Sequence, residues 1–354
     1  MRVSYVLPLR AARTLADSDL TPYLQAMARH AEVLVVDGSD PAVFAAHAAC
    51  WGGTVRHLPV DADLVSPMGK VGGVVTGVRH ATHERVVIAD DDVRYDAATL
   101  AAVAGWLDAA HIVRPQNYFR PLPWHARWDT ARTLLNRASG GDWPGTLAVR
   151  RSALLATEGY DGAVLFENLE LVRTLVAAGG TERLASDLFV RRLPPETPHF
   201  IGQRVRQAYD EFARPRRLAV QLALLPALAG ALRGRRWGGA AGAALVAVAL
   251  AEVGRRRDGG RAVFPADTPL WAPLWLLERA VCSWLAVGAR VAHGGVRYGG
   301  TTLSSAATPM RALRRRHAGS ITSTSMGLNE PLFDSSAEQA VIPTIRSISA
   351  RSSK

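Results

Sequence analysis

Three consecutive aspartates, Asp90, Asp91 and Asp92, follow the apolar run Arg85–Ala89. Carboxylates set side by side repel one another and need a compensating charge, and hard oxygen ligands of this kind suit Mg²⁺ or Mn²⁺. In an extended chain Asp90 and Asp92 project to the same side. They are the candidate metal ligands, placed to offset the charge of a departing diphosphate. The competing expectation is an acidic turn that caps the next helix. Asp37 ends a second apolar run, Glu32–Asp37, just before Gly38-Ser39-Asp40. Lys70 and Lys354 are the only lysines in a chain that otherwise takes its positive charge from arginine. Lys70 would meet a specific need such as a phosphate, or simply begin a helix in solvent. Residues 114–128 are unusually aromatic and basic for a surface loop. Trp124 and His125 are candidate ligand contacts there, since an aromatic face or an arginine grips a sugar or a phosphate. The plainer expectation is that Trp124 and Trp128, four residues apart, pack a helix start, and that His125 is structural.

Short strands and helices alternate through the first half, the pattern of an α/β domain with a mostly parallel sheet. Strands are expected at Val3–Leu7, ended by Pro8, and at Glu32–Asp37, Thr54–Leu58, Arg85–Ala89 and Ile112–Arg114. Helices are expected at Leu20–Arg29, Ala42–Ala49, Val71–Ala81 and Ala97–Ala109. Ligands of open α/β sheets bind outside the carboxyl ends of the strands, and Asp37 and Asp90 both fall at such ends. Arg151–Ala178 reads as helical, broken at Gly159–Tyr160. Thr181–Ala185 and Leu188–Arg192 read as a closing pair of strands, and Pro194, Pro195 and Pro198 as a boundary.

Beyond it lie three apolar segments, Leu218–Leu232, Gly238–Val253 and Leu270–Val291. The first two have ~15 residues each, short of the ~20 that span a bilayer comfortably. The third carries Glu278, Arg279 and Arg290, which suits a helix lying in the membrane interface. Ten arginines between Arg214 and Arg261 face only Glu252 and Asp258, within a chain of 354 residues and formal net charge +11. They alternate with apolar runs instead of stacking aromatics, a pattern for lipid headgroups and not for nucleic acid. From Ala306 the chain is basic and then Ser/Thr-rich, and is expected to be disordered. Cys50 and Cys282 have no metal-ligand spacing and form no disulfide framework. The apolar start at Met1 is too short for a signal peptide. Both point to a cytoplasmic catalytic part at the cell (inner) membrane.

Taken in order, these segments resemble family 2 glycosyltransferases with the GT-A fold. Val33–Ser39 is similar to the family's first acidic motif and Gly69-Lys70 to its lysine-bearing segment. Asp90-Asp91-Asp92 is similar to its aspartate-any-aspartate motif. Leu147–Arg151 and Gly159-Tyr160-Asp161 resemble the acceptor-side segment, and Phe166–Leu171 the segment with the Glu-Asp pair. Gln203-Arg204-Val205-Arg206-Gln207 resembles the Gln-x-x-Arg-Trp motif. Val296–Gly299 is similar to an element of the ceramide-glucosyltransferase-like and hopanoid-associated branch.

The resemblance implies a Rossmann-like mixed sheet over residues 1–198, amphipathic and membrane-embedded helices over 199–300, and a tail over 301–354. It implies an inverting transfer from a nucleotide-sugar donor to a lipid or lipid-linked acceptor. Asp37 would contact the base, and Asp90 and Asp92 the ribose, metal and diphosphate. Lys70, Gln203 and Arg206 would complete the donor site, and Trp124 and His125 would lie on the acceptor side. The chain departs from the family at Asn168, where the pair has its aspartate, and at Gln207, where the motif has tryptophan. Asn cannot take a proton from a hydroxyl, so Glu167 or Glu170 would supply the base, with Asn168 orienting it. Two other functions stay open: a nucleotidyl or phosphoryl transferase on a related sheet, and a catalytically degenerate membrane scaffold.

Overall fold

The computed structural model describes residues 2–321. The Ser/Thr-rich end of the expected tail lies outside the described residues. The first half alternates as its sequence predicts: β1 (Ser4–Leu9), α1 (Leu20–Met27), β2 (Glu32–Asp37), α2 (Pro41–Trp51), β3 (Arg56–Pro59), α3 (Gly69–His80) and β4 (Arg85–Ala89). A two-residue β5 (Val93–Arg94), α4 (Ala97–Gly105), β6 (Ile112–Phe119), α5 (Trp124–Ala138) and β7 (Thr146–Arg150) follow. Then come α6 (Arg151–Ala156), α7 (Glu167–Ala177) and β8 (Glu182–Arg192).

Strands β1 to β8 form one mixed sheet in the order β3-β2-β1-β4-β7-β6-β8-β5. The half from β3 to β4 is parallel, and β7 runs antiparallel to both β4 and β6. Alternate residues feed two cores. Tyr5, Leu7, Val33, Val35 and Val87 pack against Leu24, Leu100 and Val103 on one face. Val6, Leu34, Val86 and Ile88 pack against Val74, Val78, Leu171 and Leu175 on the other. Full burial of each such side chain stabilises the fold by about 1.5–3 kcal/mol. A change such as Leu34→Asp, which puts a charge in this layer, would break it.

The structure corrects several boundaries. Pro8 does not end β1, because β4 pairs only with Ser4–Val6 and the strand has one partner beyond that point, where proline is tolerated. The two expected closing strands are one strand, β8, pairing in parallel with β6 across a register shift at Pro115/Gln116. Residues 114–128 are no surface loop. Arg114, Gln116 and Asn117 are buried within β6, and Trp124 begins α5.

After β8 come α8 (Thr197–Gly202), α9 (Arg204–Tyr209), α10 (Pro215–Arg233), α11 (Trp237–Arg256) and α12 (Ala272–His293). A hairpin of β9 (Val296–Tyr298) and β10 (Thr301–Leu303) and the basic α13 (Met310–His317) complete the described chain. Helices α10 and α11 have 19 and 20 residues, longer than their apolar runs predict, because flanking arginines join them. The basic stretch after Ala306 is ordered in part, with Leu313 of α13 buried. The helical stretches Trp237–Ala262 and Thr268–His293 are each long and apolar enough to cross a membrane, by length and composition.

Both nonetheless pack on the sheet domain. Ala247 and Ala251 of α11 and Trp275 of α12 share a core with Ala131 and Leu134 of α5. At Gly254 a Cβ would lie 1.9 Å from the Leu134 carbonyl oxygen, so only glycine allows this approach. Arg137 of α5 is buried and donates from Nε to the Gly254 carbonyl at 3.0 Å. The boundary expected near Pro198 therefore separates two parts of one packed body.

Candidate active site

At the carboxyl end of β4 the chain leaves the sheet as Asp90-Asp91-Asp92 and re-enters it as β5. The backbone N–H of Asp90 donates to Gly145 O, and that of Leu193 to Asp92 O, at 2.9 and 2.8 Å. The pairing of β5 with β8 sets Arg192 opposite Val93, and its guanidinium reaches back over the aspartates. Arg192 Nε donates to both Asp92 carboxylate oxygens at 2.9–3.0 Å, and Nη2 to Asp90 Oδ2 at 3.3 Å. A Cβ at Gly145 would lie 2.6 Å from Asp90 Oδ2 and 2.9 Å from Arg192 Cζ, so the bare backbone there makes room for the pair.

Lys70, on the first turn of α3, sits on the other side. Its Nζ is 2.6 Å from Asp90 Oδ1 and 2.5 Å from Glu167 Oε1. Burial alone would lower the Lys70 pKa, but Asp90 and Glu167 hold it well above the usual lysine value. Burial raises the carboxyl of Asp92, against the pull of Arg192.

These groups line a cleft of about 760 Å³. Of the residues singled out by sequence, Lys70, Asp90, Asp92, Glu167, Gln203 and Arg206 line it. Tyr298 of the β9 hairpin lines it too, with the Arg206 guanidinium 5.1 Å from its ring centre. Segments separated by more than two hundred residues thus meet at one place.

Five of the expected site residues lie elsewhere. Asn168 spends its side-chain N–H on Pro144 O at 3.0 Å, a structural bond beside the cleft. Glu170 is fully buried and accepts from the Thr308 backbone at 2.7 Å, which ties α7 to the chain before α13. That burial pushes its carboxyl above the ordinary range. His125 is buried, with Nε2 bonded to Pro195 O at 2.8 Å. Trp124 is half exposed and packs edge-on against Trp128 and Phe200.

Asp37 does not line the cleft either. Its side chain is fully buried. The Ser39 backbone N–H donates to Oδ1 at 2.9 Å. His47 Nδ1 and His57 Nε2 approach Oδ2 at 2.7 and 3.0 Å. The Leu15 backbone N–H points at His47 Nε2 from 2.9 Å, which leaves the ring proton on Nδ1, facing Asp37. A metal at Nδ1 would force a proton onto Nε2, against the Leu15 donor. The trio Asp37, His47 and His57 is therefore a hydrogen-bonded unit. Burial alone would raise the Asp37 pKa, but the bonds from Ser39, His47 and His57 hold it below the usual value.

Among the cleft residues that the sequence did not point to are Asp129, Arg132, Arg192 and Asp210. Asp129 and Arg132 are joined to each other, and Asp129 also to Arg204 at 3.1 Å. Asp210 lies four residues beyond Arg206, a spacing that puts both on one helical face. That was the available signal. Its Oδ1 is buried with no hydrogen-bond partner. Burial first, and the charge of Glu167 second, push its pKa up to about 7.

No protein-family profile matches the chain, and no curated protein matches it in sequence. Among solved structures, it is similar to S. aureus TarS in complex with UDP-GlcNAc. The identity is 15% over 57% of this chain and 61% of that one, with a TM-score of 0.39. It is also similar to the mannosyltransferase PcManGT from Pyrobaculum calidifontis in complex with GDP-Man and Mn²⁺. Here the identity is 21% over 80% of this chain and 87% of that one, with a TM-score of 0.49. A third similar structure is a mycobacterial protein, at 15% identity over 58% of this chain and 72% of that one, with a TM-score of 0.40. The matched part spans about 61% of the TarS chain.

Proposed function

We propose that this chain is an inverting glycosyltransferase of the GT-A type. It would move a sugar from a nucleotide-sugar donor to a lipid or lipid-linked acceptor at the cytoplasmic face of the cell membrane. The observation that carries this reading is the convergence of Lys70, Asp90, Asp92, Glu167, Gln203 and Arg206 on one cleft at the strand ends. Residues from the Lys70, Asp90–Asp92, Phe166–Leu171, Gln203–Gln207 and Val296–Gly299 segments line it although they are scattered in sequence, while none from Val33–Ser39, Leu147–Arg151 or Gly159–Asp161 does.

Asp90 and Asp92 reach toward a common point, now taken by Arg192. Two hard oxygen donors at one point fit Mg²⁺ or Mn²⁺, and these two residues would hold it. Such an ion would supply positive charge against the leaving diphosphate. Lys70, Arg192 and Arg206 supply the same sign from the protein itself, and an arriving diphosphate would compete with Glu167 for the Lys70 ammonium. Glu167 is the first residue of α7, where the helix dipole favours the ionised carboxylate. Freed from Lys70, it is the proposed base. The acceptor hydroxyl gives its proton to Glu167 as its oxygen bonds to the anomeric carbon. The bond from that carbon to the diphosphate breaks, and the electron pair leaves with the nucleotide. Attack opposite the leaving group inverts the centre.

Membrane association is proposed from the outer faces of α11 and α12. Val246, Leu250 and Val253 recur at helical spacing and are about half exposed or more. Leu274, Leu277, Val281 and Trp284 do the same on α12. Both helices are fixed on the sheet domain by their inner faces, an arrangement that suits lying on a bilayer. Cys50 and Cys282 are both free thiols, in keeping with a reducing compartment.

Labelled nucleotide sugars screened against membranes from expressing and non-expressing cells test the reading. Label should enter a lipid-extractable product only with the expressed chain. Release of nucleotide transfer products in place of sugar products would move the chain to another transferase class. A full-length chain found wholly in the soluble fraction after gentle lysis would remove the membrane part.

A further inference from the structure

Behind the cleft lies a smaller cavity of about 140 Å³, and four residues, Arg132, Arg192, Gln207 and Asp210, line both. Arg214, Arg217, Trp275 and Arg279 form much of its remaining wall. The charges in the cleft are matched: Arg132 faces Asp129 and Asp142, and Arg192 faces Asp90 and Asp92. In the rear cavity Arg214 and Arg217 share Glu211, while Arg279 makes no ion pair among the described residues. Arg279 is 2% exposed, and its Nε and Nη1 have no hydrogen-bond partner. Trp275 is equally buried with Nε1 unpartnered, and Arg214 Nε is buried and unpartnered.

The setting of Arg279 on its helix is unusual. The buried face of α12 carries Trp275, Arg279, Cys282 and Ala286, while the opposite face exposes Leu274, Leu277, Val281 and Trp284. A charge pointing inward and hydrocarbon pointing outward reverse the ordinary order of a soluble helix. A buried cation without a counter-ion is costly, and so is each buried N–H left without an acceptor. Desolvation here also lowers Arg214, to about 10, against the pull of Glu211. The acceptors at hand do not settle these donors. Glu211 Oε1 takes one bond from Arg214, Glu211 Oε2 lies 3.5 Å from Arg217 Nε without a hydrogen bond, and Asp210 Oδ1 makes none.

We propose that this cavity binds the phosphoryl group of a phosphorylated lipid acceptor. A phosphoryl group brings several strong acceptor oxygens on one tetrahedral centre. It would satisfy the two Arg279 donors, Arg214 Nε and Trp275 Nε1 together, in the charge-assisted geometry that arginine favours. With a carboxyl pKa raised toward neutrality, Asp210 is partly protonated at pH 7 and adds an O–H donor to the same wall. The lipid chain would leave along α10 and α12, whose outer residues Val220, Leu274 and Trp284 are exposed and apolar. The assignment of that lipid as the acceptor rests on the transferase reading; the binding of phosphate does not.

The full-length protein in mild detergent is titrated with farnesyl phosphate, farnesol and inorganic phosphate, and separately with nucleotide sugars. Farnesyl phosphate should bind at least about tenfold more tightly than farnesol, the ratio expected for hydrogen bonds to a charged group. Arg279→Gln should lose about tenfold or more of that affinity, and Trp275→Phe a few-fold, with nucleotide-sugar affinity unchanged. In phosphate-free buffer Arg279→Met should melt at the same temperature as the parent or higher, since it removes an unpaired buried charge.

Arg279→Gln binding farnesyl phosphate as well as the parent would overturn the proposal, as would equal affinity for farnesol. Inorganic phosphate binding as tightly as farnesyl phosphate would overturn the lipid assignment. If Arg279→Gln does not fold, Arg279→Lys and Trp275→Phe carry the same test. Farnesyl phosphate binding without sugar transfer from any donor would uphold the cavity and sink the transferase reading. Transfer that is unaffected in Arg279→Gln would do the reverse.

Discussion

Asp37 and Asp90 sit at the carboxyl ends of β2 and β4, both neighbours of β1, yet the chain has put them to opposite uses. Asp37 is sealed, with both carboxylate oxygens taken by Ser39, His47 and His57 and no side-chain surface left. Asp90 and Asp92 stay partly open, held only by Lys70 and Arg192 from the walls of a cleft. A strand end gives an aspartate access to a ligand crevice. The neighbours decide whether it keeps that access. Fixed histidines and a backbone N–H turn it into structure; long cationic side chains that can swing toward an incoming anion leave it available.

The largest test of this difference is Asp90→Asn or Asp92→Asn. Either change should lower sugar transfer by at least about a hundred to a thousandfold, the scale of losing one preorganised electrostatic group. It should also abolish metal-dependent donor binding. The melting temperature should hold, because burial already disfavours the ionised form of Asp92. Near-normal turnover in the presence of a chelator would show that the aspartates hold no catalytic metal.

Glu167→Gln comes next. Removing the proposed base should lower turnover by roughly a hundredfold with donor affinity little changed. If it is silent while Asp210→Asn is inactive, the proton goes to the unpaired carboxylate of the cleft instead.

Asp37→Asn inverts the readout. An amide has one acceptor oxygen where the carboxylate has two, so its N–H₂ must face either the Ser39 N–H or the two histidine N–H groups. The fold should lose about 2–4 kcal/mol, as when one partner of a buried charged network is removed. Activity per folded molecule should stay close to the parent's. A variant that melts normally but no longer binds donor would return Asp37 to the donor site.

How much of this was readable in the sequence follows the same division. Continuous apolar runs such as Glu32–Asp37 and Arg85–Ala89 gave β2 and β4 to the residue, because both faces of these strands are buried. The length of β6 was missed, since Arg114, Gln116 and Asn117 look polar enough for a loop. They are buried because other groups satisfy them: Arg114 with Glu182, and Asn117 with the backbones of Gly145 and Val190. Lys70, Asp90 and Asp92 stood out by type and spacing, and Glu167 by the family resemblance. Arg192 did not, since one arginine among so many carries no signal until β5–β8 pairing sets it over the aspartates. Asn168 looked like a base replaced in place. Its bond to Pro144 O instead makes Asn168→Asp a structural loss, because a carboxylate facing a carbonyl has no proton to give.

The smallest effect belongs to Asp210, the carboxylate that is neither sealed like Asp37 nor paired like Asp90. Its pKa rises from an ordinary 3.8 to about 7, first through burial and then through the charge of Glu167, against Arg206, Arg214 and Arg279. Between those two values the folded chain holds a proton that the unfolded chain has released. Stability from this site therefore falls as pH rises from about 4 to 7 and is flat outside that window. Each unit of difference is worth ~1.4 kcal/mol at most, and solvent entering from the cleft trims the sum. Asp210→Asn removes the titration and keeps a neutral side chain of the same shape. Relative to the parent it should gain at least ~1 kcal/mol between pH 4 and pH 7.5, or about 2–4 °C in Tm for a chain somewhat smaller than this one. Melting curves of both proteins across that range measure it. A parent and variant whose Tm difference is the same at both ends would mean that Asp210 is ionised throughout, and would place a cation or water against its Oδ1.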